Sequence, residues 1–390
     1  RDQHSEEYRT RTMIMSTGVC VMLVSQVLGH GAIVTPRSRN SIDYLVGINT
    51  PKDWPSNAEC TNISAASLPG DPCHNGQADF WYSQGCFIGC AQCDHMSGRR
   101  QTDLCHSGKK ATVNDPAFRS VNRAAVAGSP QDIYRHNPWR APGSAPVGDA
   151  CGLAGGTPWL PEVGEAGDYT ATKYAHHGMN GTTLPPMDTG VVWTVGSQVE
   201  VTWQVENNHG GGYSYRLCPA DQPLTEACFQ QTPLDFVTDQ QGIVFQNGTV
   251  VPVPGVFVET GTTPAGSMWS MIPLPTDALG PRCVAGPNDT NATPYACQPD
   301  EVHLKGGPCI PCPETPGSDC SRCDNNWDGT PSYTPPCHGC QGSTHTHAIR
   351  DVVKIPAHLA PGKYVLGWRW DCEATAQVWS NCADVTLAAP

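Results

Sequence analysis

The alternation of hydrophobic and polar residues along the chain predicts β-strands. The pattern is clearest over residues 198–206, where Val199, Val201, Trp203 and Val205 alternate with polar residues. A period of two residues is typical of a strand with one buried face. The other predicted strands cover residues 213–217, 243–245, 250–258, 352–355, 363–370 and 383–387. No long amphipathic helix or internal repeat interrupts them. The pattern therefore predicts an all-β fold, an immunoglobulin/fibronectin-like antiparallel β-sandwich with a few short helices.

Two long stretches interrupt the strand pattern. Pro, Gly and Cys dominate residues 40–186, where one helix is predicted from Asp115 as N-cap and Pro116 at the first helical position to a stop at Gly128. Residues 283–340 form a second cysteine-rich stretch. Because the strands on either side belong to one sheet system, we expect a single domain over residues 30–390, with these stretches inserted as long disulfide-rich loops.

The beginning of the chain has the pattern of a cleavable secretion signal. Residues 13–28 are an apolar run, preceded by Arg9 and Arg11 and followed by Gly29. The run is too short to span a bilayer comfortably, and Val27 and Gly29 supply slim or small residues at positions −3 and −1 of the expected cut. We expect residues 1–29 to be removed and the protein to be extracellular. His30 then becomes the amino terminus, where its α-amine and a ring nitrogen can chelate one metal ion.

The cysteines also fit an exported protein. The chain has 20 cysteines, of which Cys20 lies in the signal. Disulfides persist in an oxidising compartment, so we predict disulfides for the Cys-x-x-Cys pairs of residues 283–340, although their spacing also fits zinc. The odd number that remains leaves at least one thiol free or paired between chains. Glycosylation sequons are present at Asn62, Asn180, Asn247, Asn288 and Asn291.

Charge and motifs exclude several classes of function. The net charge of −13 argues against nucleic acid or an anionic membrane surface as partner. A paired-carboxylate hydrolase pattern, a Gly-x-Ser-x-Gly motif and a phosphate-binding loop are all absent from the sequence.

Three separated segments carry the residue types of a metal centre. The first, residues 30–39, reads HGAIVTPRSR. The second, residues 207–213, places His209 directly after the clearest strand, on a loop where it can face the amino terminus. The third, residues 377–384, contains Gln377 and Trp379 and leads into the last strand.

Together these segments resemble the lytic polysaccharide monooxygenases, secreted copper enzymes that oxidise crystalline chitin or cellulose. The opening is similar to the His-Gly-x-x-x-x-Pro-x-Ser-Arg pattern of their chitin-active bacterial branch. The Asn-His-Gly segment, with Leu217-Cys218-Pro219 after it, is similar to the insect branch. The resemblance covers about half of residues 30–390.

The resemblance implies a site of four residues. The α-amine and Nδ1 of His30 and Nε2 of His209 would form a histidine brace for copper. Trp379 stands where the family has an axial Tyr or Phe, and Gln377 stands where the family has a glutamine close to the metal. All four are therefore candidate catalytic residues, and the two histidines are the candidate metal ligands.

The resemblance also implies the reaction and the partners. A monomeric enzyme would cleave an insoluble polysaccharide, chitin or cellulose with chitin slightly favoured, by hydroxylation at C1 or C4. It would use an electron donor together with hydrogen peroxide or dioxygen. Two alternatives remain open at the level of sequence: a non-catalytic glycan-binding protein, and a copper-carrying protein.

Several of these residues also have a purely structural interpretation. Trp379 taken alone fits a sandwich core, and the paired histidines His176–His177 and His345-x-His347 fit solvated loops better than metal sites. Arg37 and Arg39 are expected to anchor the amino-terminal segment through charge-assisted hydrogen bonds.

Overall fold

A computed structural model describes residues 30–46, 77–83, 88, 128–129, 132, 134–156, 169–207, 209–245, 250–273, 347–373 and 375–390. Within these ranges the chain forms mainly β-strands. In chain order they are β1 (His30–Thr35), β2 (Trp81–Ser83), β3 (Leu153–Ala154), β4 (Val192–Thr194), β5 (Gln198–Asn207), β6 (Gly212–Pro219), β7 (Gly242–Phe245), β8 (Val250–Pro252), β9 (Phe257–Val258), β10 (Trp269–Met271), β11 (His347–Lys354), β12 (Gly362–Asp371) and β13 (Val378–Ala388). The described helices are α1 (Glu226–Phe229) and the short 3-10 segments Arg39–Val46, Ala78–Phe80, Pro138–Arg140 and Gly181–Thr183.

The strands form two sheets that pack face to face. The five-stranded sheet has the order β1-β5-β11-β7-β8. The eight-stranded sheet has the order β3-β2-β13-β12-β6-β10-β9, and β4 pairs with β13 in parallel. The other described strand pairs are antiparallel. The predicted all-β antiparallel sandwich is therefore confirmed.

Strand alternation builds the core between the sheets. Val201, Trp203 and Val205 of β5 are buried, as the period of two predicts, but Thr202 and Gln204 are buried too, so both faces of this part of the strand are covered. The ring of Trp203 lies with its centroid 4.8 Å from that of Trp368 in β12, which joins the two sheets through aromatic packing. Disulfides Cys151–Cys382 and Cys218–Cys228 add covalent links at the outer side of the larger sheet.

One predicted strand was wrong. Residues 250–258 do not form a continuous strand but divide into β8, which pairs with β7, and β9, which pairs with β10. Proline offers no backbone N–H to a ladder, and Pro252 and Pro254 fall in this segment. The chain therefore passes from one sheet to the other here. The other predicted strands are confirmed, and the last one is longer than predicted because β13 begins at Val378.

Residues 40–186, which were predicted as loops, contribute two short strands, β2 and β3. β2 pairs with β13 and β3 pairs with β2, so both extend the larger sheet. Strands of two or three residues are too short to show a period, which is why the pattern missed them. The predicted helix after Asp115, and all cysteines of residues 86–105 and 283–340, lie outside the described residues. None of the helices that the structure describes is long and apolar enough to cross a bilayer.

Candidate metal centre

Strand pairing brings the backbone of His30 beside the segment that leads to His209. His30 in β1 is the partner of Asn207 in β5, two residues before His209. The register shifts by one residue between His30 and Gly31, as at a β-bulge, and such a shift re-aims a side chain relative to the rest of the strand. The side chain of His30 lies outside the described atoms, so its placement toward a metal stays a prediction.

Hydrogen bonds to β13 hold β1 and the segment that follows it in place. The backbone N–H of Ile33 donates to Oδ1 of Asn381 at 2.9 Å, which ties β1 to β13 in the opposite sheet. The guanidinium of Arg39 donates two hydrogen bonds, of 2.5 and 2.7 Å, to the Asp384 carboxylate. The anchoring role predicted for Arg39 is therefore confirmed, and Arg37 adds a local hydrogen bond to Ser41.

The loop that carries His209 can form only because glycines follow the histidine. A Cβ on Gly211, whose φ is +83°, would lie 2.1 Å from the carbonyl oxygen of Asp371. Because this loop lies so close to the end of β12, Nε1 of Trp370 can donate to the Gly210 carbonyl at 2.9 Å. The same close approach lets the N–H of Glu373 donate to the His209 carbonyl at 3.3 Å. His209 is fully buried as a result.

The turn between β12 and β13 places a hydroxyl against the His209 ring. The N–H of Cys372 donates to the Gln377 carbonyl at 3.1 Å, which closes the turn. Inside the turn, Oγ1 of Thr375 lies 3.0 Å from Nδ1 of His209. The same hydroxyl donates to Oε1 of Gln377 at 3.0 Å. Thr375 thus connects two predicted site residues.

This contact chain defines which ring nitrogen of His209 carries the proton. A threonine hydroxyl has a single hydrogen, and here that hydrogen is directed to the Gln377 amide oxygen, which can only accept. The Thr375 oxygen must then accept from His209, so Nδ1 bears a hydrogen and, in the neutral ring, Nε2 has the lone pair. Nε2 is also the nitrogen that the resemblance assigns to copper, so this donor fits the metal.

Trp379 lies in the sandwich core. Its indole is fully buried and stacks on Tyr82 with a centroid distance of 4.2 Å and an interplanar angle of 26°. Trp370 packs 6.2 Å away. The thiol of Cys372 also hydrogen-bonds with Trp379 and Thr375, and burial raises its pKa well above the ordinary value of a thiol. The structure therefore brings His209, Thr375 and Gln377 into direct contact and places Trp379 at the inner side of the same turn.

A buried ion network holds this turn from outside the sandwich. Arg140 donates to Glu373 at 2.7 Å and to Asp132 at 2.6 Å, and the side chains of all three are fully buried. Although burial raises the pKa of Asp132, the Arg140 hydrogen bonds and charge lower it overall. Asn137 adds a hydrogen bond to the Glu373 carbonyl at 2.7 Å. The segment from residue 134 to residue 140 therefore fixes the backbone next to His209.

Of the remaining histidine pairs, His176–His177 lies in a loop, as predicted, whereas His347 begins β11 and so does not lie in a loop. His176 is exposed, and its Nδ1 contacts the neighbouring backbone carbonyl of His177. The side chains of His345 and His347 lie outside the described atoms. Among the described side chains, no three from His, Cys, Asp and Glu converge as a metal site.

Sequence reasoning missed Thr375, Glu373 and Arg140. Thr375 offered a weak local signal, since a hydroxyl stands two residues before the predicted Gln377. Arg140 offered none, because its partner Glu373 is 233 residues away.

Comparison with known proteins finds similarity in sequence to a curated protein. No protein-family model matches the chain. A curated protein of Pyricularia oryzae (strain 70-15), an AA13 family lytic polysaccharide monooxygenase A, is 24% identical over 203 residues. The match covers 51% of this chain and 43% of that protein. The chain thus spans less than half the length of this relative.

Similar solved structures are distant in sequence. A chitin binding domain from Burkholderia pseudomallei is 13% identical, with 93% of this chain and 100% of that chain covered and a TM-score of 0.32. The cellulose-active LPMO CelS2 in complex with copper is 11% identical, with 93% and 100% covered and a TM-score of 0.23. Over about half its length, the chain is therefore similar in sequence to a lytic polysaccharide monooxygenase, in agreement with the resemblance of its three segments.

Proposed function

We propose that the protein is a secreted, copper-dependent lytic polysaccharide monooxygenase. It cleaves glycosidic bonds in an insoluble polysaccharide, chitin or cellulose, by hydroxylation at C1 or C4. The observation that carries this proposal is the convergence of the His30 backbone with the His209 loop, together with a His209 ring whose Nδ1, rather than Nε2, contacts Thr375.

The donor set suits copper. The α-amine and a ring nitrogen of His30, freed by removal of residues 1–29, would join Nε2 of His209 as three neutral nitrogen ligands. Amine and imidazole nitrogens bind copper well, and copper heads the divalent affinity series. When bound, copper would supply the one-electron redox chemistry that activates hydrogen peroxide or dioxygen, with an external electron donor as reductant.

The surrounding residues would orient the reactants and exclude water. Thr375 holds the Gln377 amide, which would hydrogen-bond the oxygen-containing co-substrate. The buried Trp379 would close the inner side of the site to water. The polymer would approach the opposite, outer side, next to Thr375, which is partly exposed.

Copper binding is the first test. The secreted protein should begin at His30 and bind one Cu(II) per chain through nitrogen ligands. Electron paramagnetic resonance should show a nitrogen coupling pattern that changes in His209→Ala and stays the same in His358→Ala, an exposed histidine that serves as control. One extra residue ahead of His30 should weaken binding strongly, because it removes the amine ligand. An unchanged spectrum in His209→Ala would refute the metal assignment.

The reaction is the second test. With copper, a reductant and hydrogen peroxide, mass spectrometry should detect aldonic acids or C4-ketones released from chitin or cellulose. Native-mass oligosaccharides, or none from any glycan, would contradict the enzymatic proposal. Retention on the glycan without oxidised products would then identify a binding protein, and copper binding without glycan retention a copper carrier.

A further inference from the structure

We propose that Thr375 is a positioning residue that holds His209 in the tautomer required for metal binding and couples it to Gln377. The inference rests on the proposed function for its consequence at the metal. Its structural part, the tautomer of one imidazole, can be tested in the metal-free protein.

With the amide oxygen of Gln377 turned toward Thr375, as the structure has it, the hydrogen-bond chain has one consistent direction. Oε1 of Gln377 can accept but not donate, so the 3.0 Å contact uses the single hydrogen of the Thr375 hydroxyl. The 3.0 Å contact to His209 must then use a lone pair of Thr375 and the hydrogen on Nδ1. The opposite tautomer would need the hydroxyl to turn away from Gln377 and leave a buried amide oxygen without its donor.

The burial of His209 and Gln377 maintains the direction of these hydrogen bonds. His209 is fully buried and Gln377 is 5% exposed, so water cannot readily replace either hydrogen bond. A ring nitrogen that carries hydrogen has no lone pair to give a metal. By holding the hydrogen on Nδ1, Thr375 keeps the lone pair on Nε2, and it fixes the rotation of the ring at the same time.

The turn is built to keep Thr375 in place. Its two ends are joined by the hydrogen bond from the Cys372 N–H to the Gln377 carbonyl. Glu373, two residues before Thr375, is held by His209, Asn137 and Arg140. The hydroxyl therefore approaches His209 from a backbone that the rest of the fold has already positioned.

The first experiment measures the tautomer without copper. In protein labelled with ¹⁵N-histidine, two-bond ¹H–¹⁵N correlation spectra distinguish a hydrogen on Nδ1 from one on Nε2, and the His209→Gln spectrum assigns the signal. The wild type should show the Nδ1–H form at His209. Thr375→Val, which keeps the shape but loses the hydroxyl, should show a mixture, and Thr375→Ser should restore the Nδ1–H form. A hydrogen on Nε2 in the wild type would overturn the proposal.

The second experiment measures Cu(II) affinity by calorimetry. Thr375→Val should bind Cu(II) about 10-fold to 100-fold more weakly, the range typical of residues that orient a metal ligand. Thr375→Ser should remain near the wild type, as should the control Thr386→Val near the other end of β13. Unchanged affinity and tautomer in a folded Thr375→Val protein would refute the role of Thr375. Absence of copper binding in the wild type would instead refute the proposed function, while the tautomer measurement would still decide the structural part.

Discussion

At the scale of single residues, burial keeps Cys372 a free thiol. The described cysteines 151, 218, 228 and 382 pair with one another, whereas Cys372 is free and fully buried. Its burial is incompatible with pairing between chains. If Cys20 is removed with the predicted signal, 14 cysteines remain besides these five, an even number that allows all of them to pair, and they lie outside the described residues.

Thiol titration of the secreted protein tests this assignment. The native protein should react very slowly, because the thiol is buried and its pKa is raised well above the ordinary value. Denatured, unreduced protein should release one thiol per chain, and Cys372→Ser should release none. More than one thiol, or rapid reaction of the native protein, would contradict the prediction.

At the scale of elements, two ion pairs between arginine and a carboxylate are expected to contribute differently to stability, because one is buried and the other is partly exposed. Arg140 joins the Pro138–Arg140 segment to the turn before β13 through fully buried partners. Arg350 of β11 pairs with Glu200 of β5, but its side chain is 22% exposed and that of Glu200 is 50% exposed. Removal of one partner from a buried pair leaves an uncompensated charge, whereas solvent screens an exposed one.

Urea unfolding of two matched variants measures this difference. Arg140→Met should lower the free energy of unfolding by about 3 to 5 kcal/mol, because Asp132 and Glu373 would stay buried without their cation. Arg350→Met should lower it by no more than about 1 kcal/mol. Equal losses in the two variants would show that burial does not distinguish these pairs.

For the whole molecule, buried carboxyls set the pH dependence of stability. Burial raises the pKa of Asp79 from 3.8 to about 7, partly offset by a hydrogen bond from its own backbone N–H. Burial also raises the pKa of Asp351 to about 6, partly offset by hydrogen bonds from Gln241, Tyr213 and Tyr215. Glu226 behaves oppositely: burial raises its pKa, but Arg216 and Arg369 lower it to about 2 overall.

These directions predict a maximum of stability near pH 4. Between about pH 4 and 7 the folded protein binds more protons at Asp79 and Asp351 than the unfolded chain, so stability should fall as pH rises through this window. Below about pH 4 the protonation of Glu226 should lower stability as well. Thermal unfolding should give a higher Tm at pH 5 than at pH 7.5. Asp79→Asn should raise the Tm at pH 7.5 and flatten the dependence, whereas the exposed control Asp221→Asn should not. A Tm that rises steadily from pH 5 to 7.5 would contradict this.

The sequence alone determined the features that depend on local order. The period of two in β5, β6 and β12 predicted the strands, because neighbouring side chains of a strand point to opposite faces whatever it pairs with. The identities of His30, His209 and Gln377 and the chemistry of their segments were also visible in the sequence.

The tertiary structure decided the features that depend on distant partners. The division of residues 250–258 between two sheets, the pairing of His30 with Asn207, and the contact of His209 with Thr375 across 166 residues have no local periodic signal. Hydrogen bonds of this kind depend on strand register and on turns closed elsewhere in the chain. The pattern could therefore name the candidate ligands, but only the folded chain shows the hydroxyl that determines which nitrogen of His209 has a lone pair.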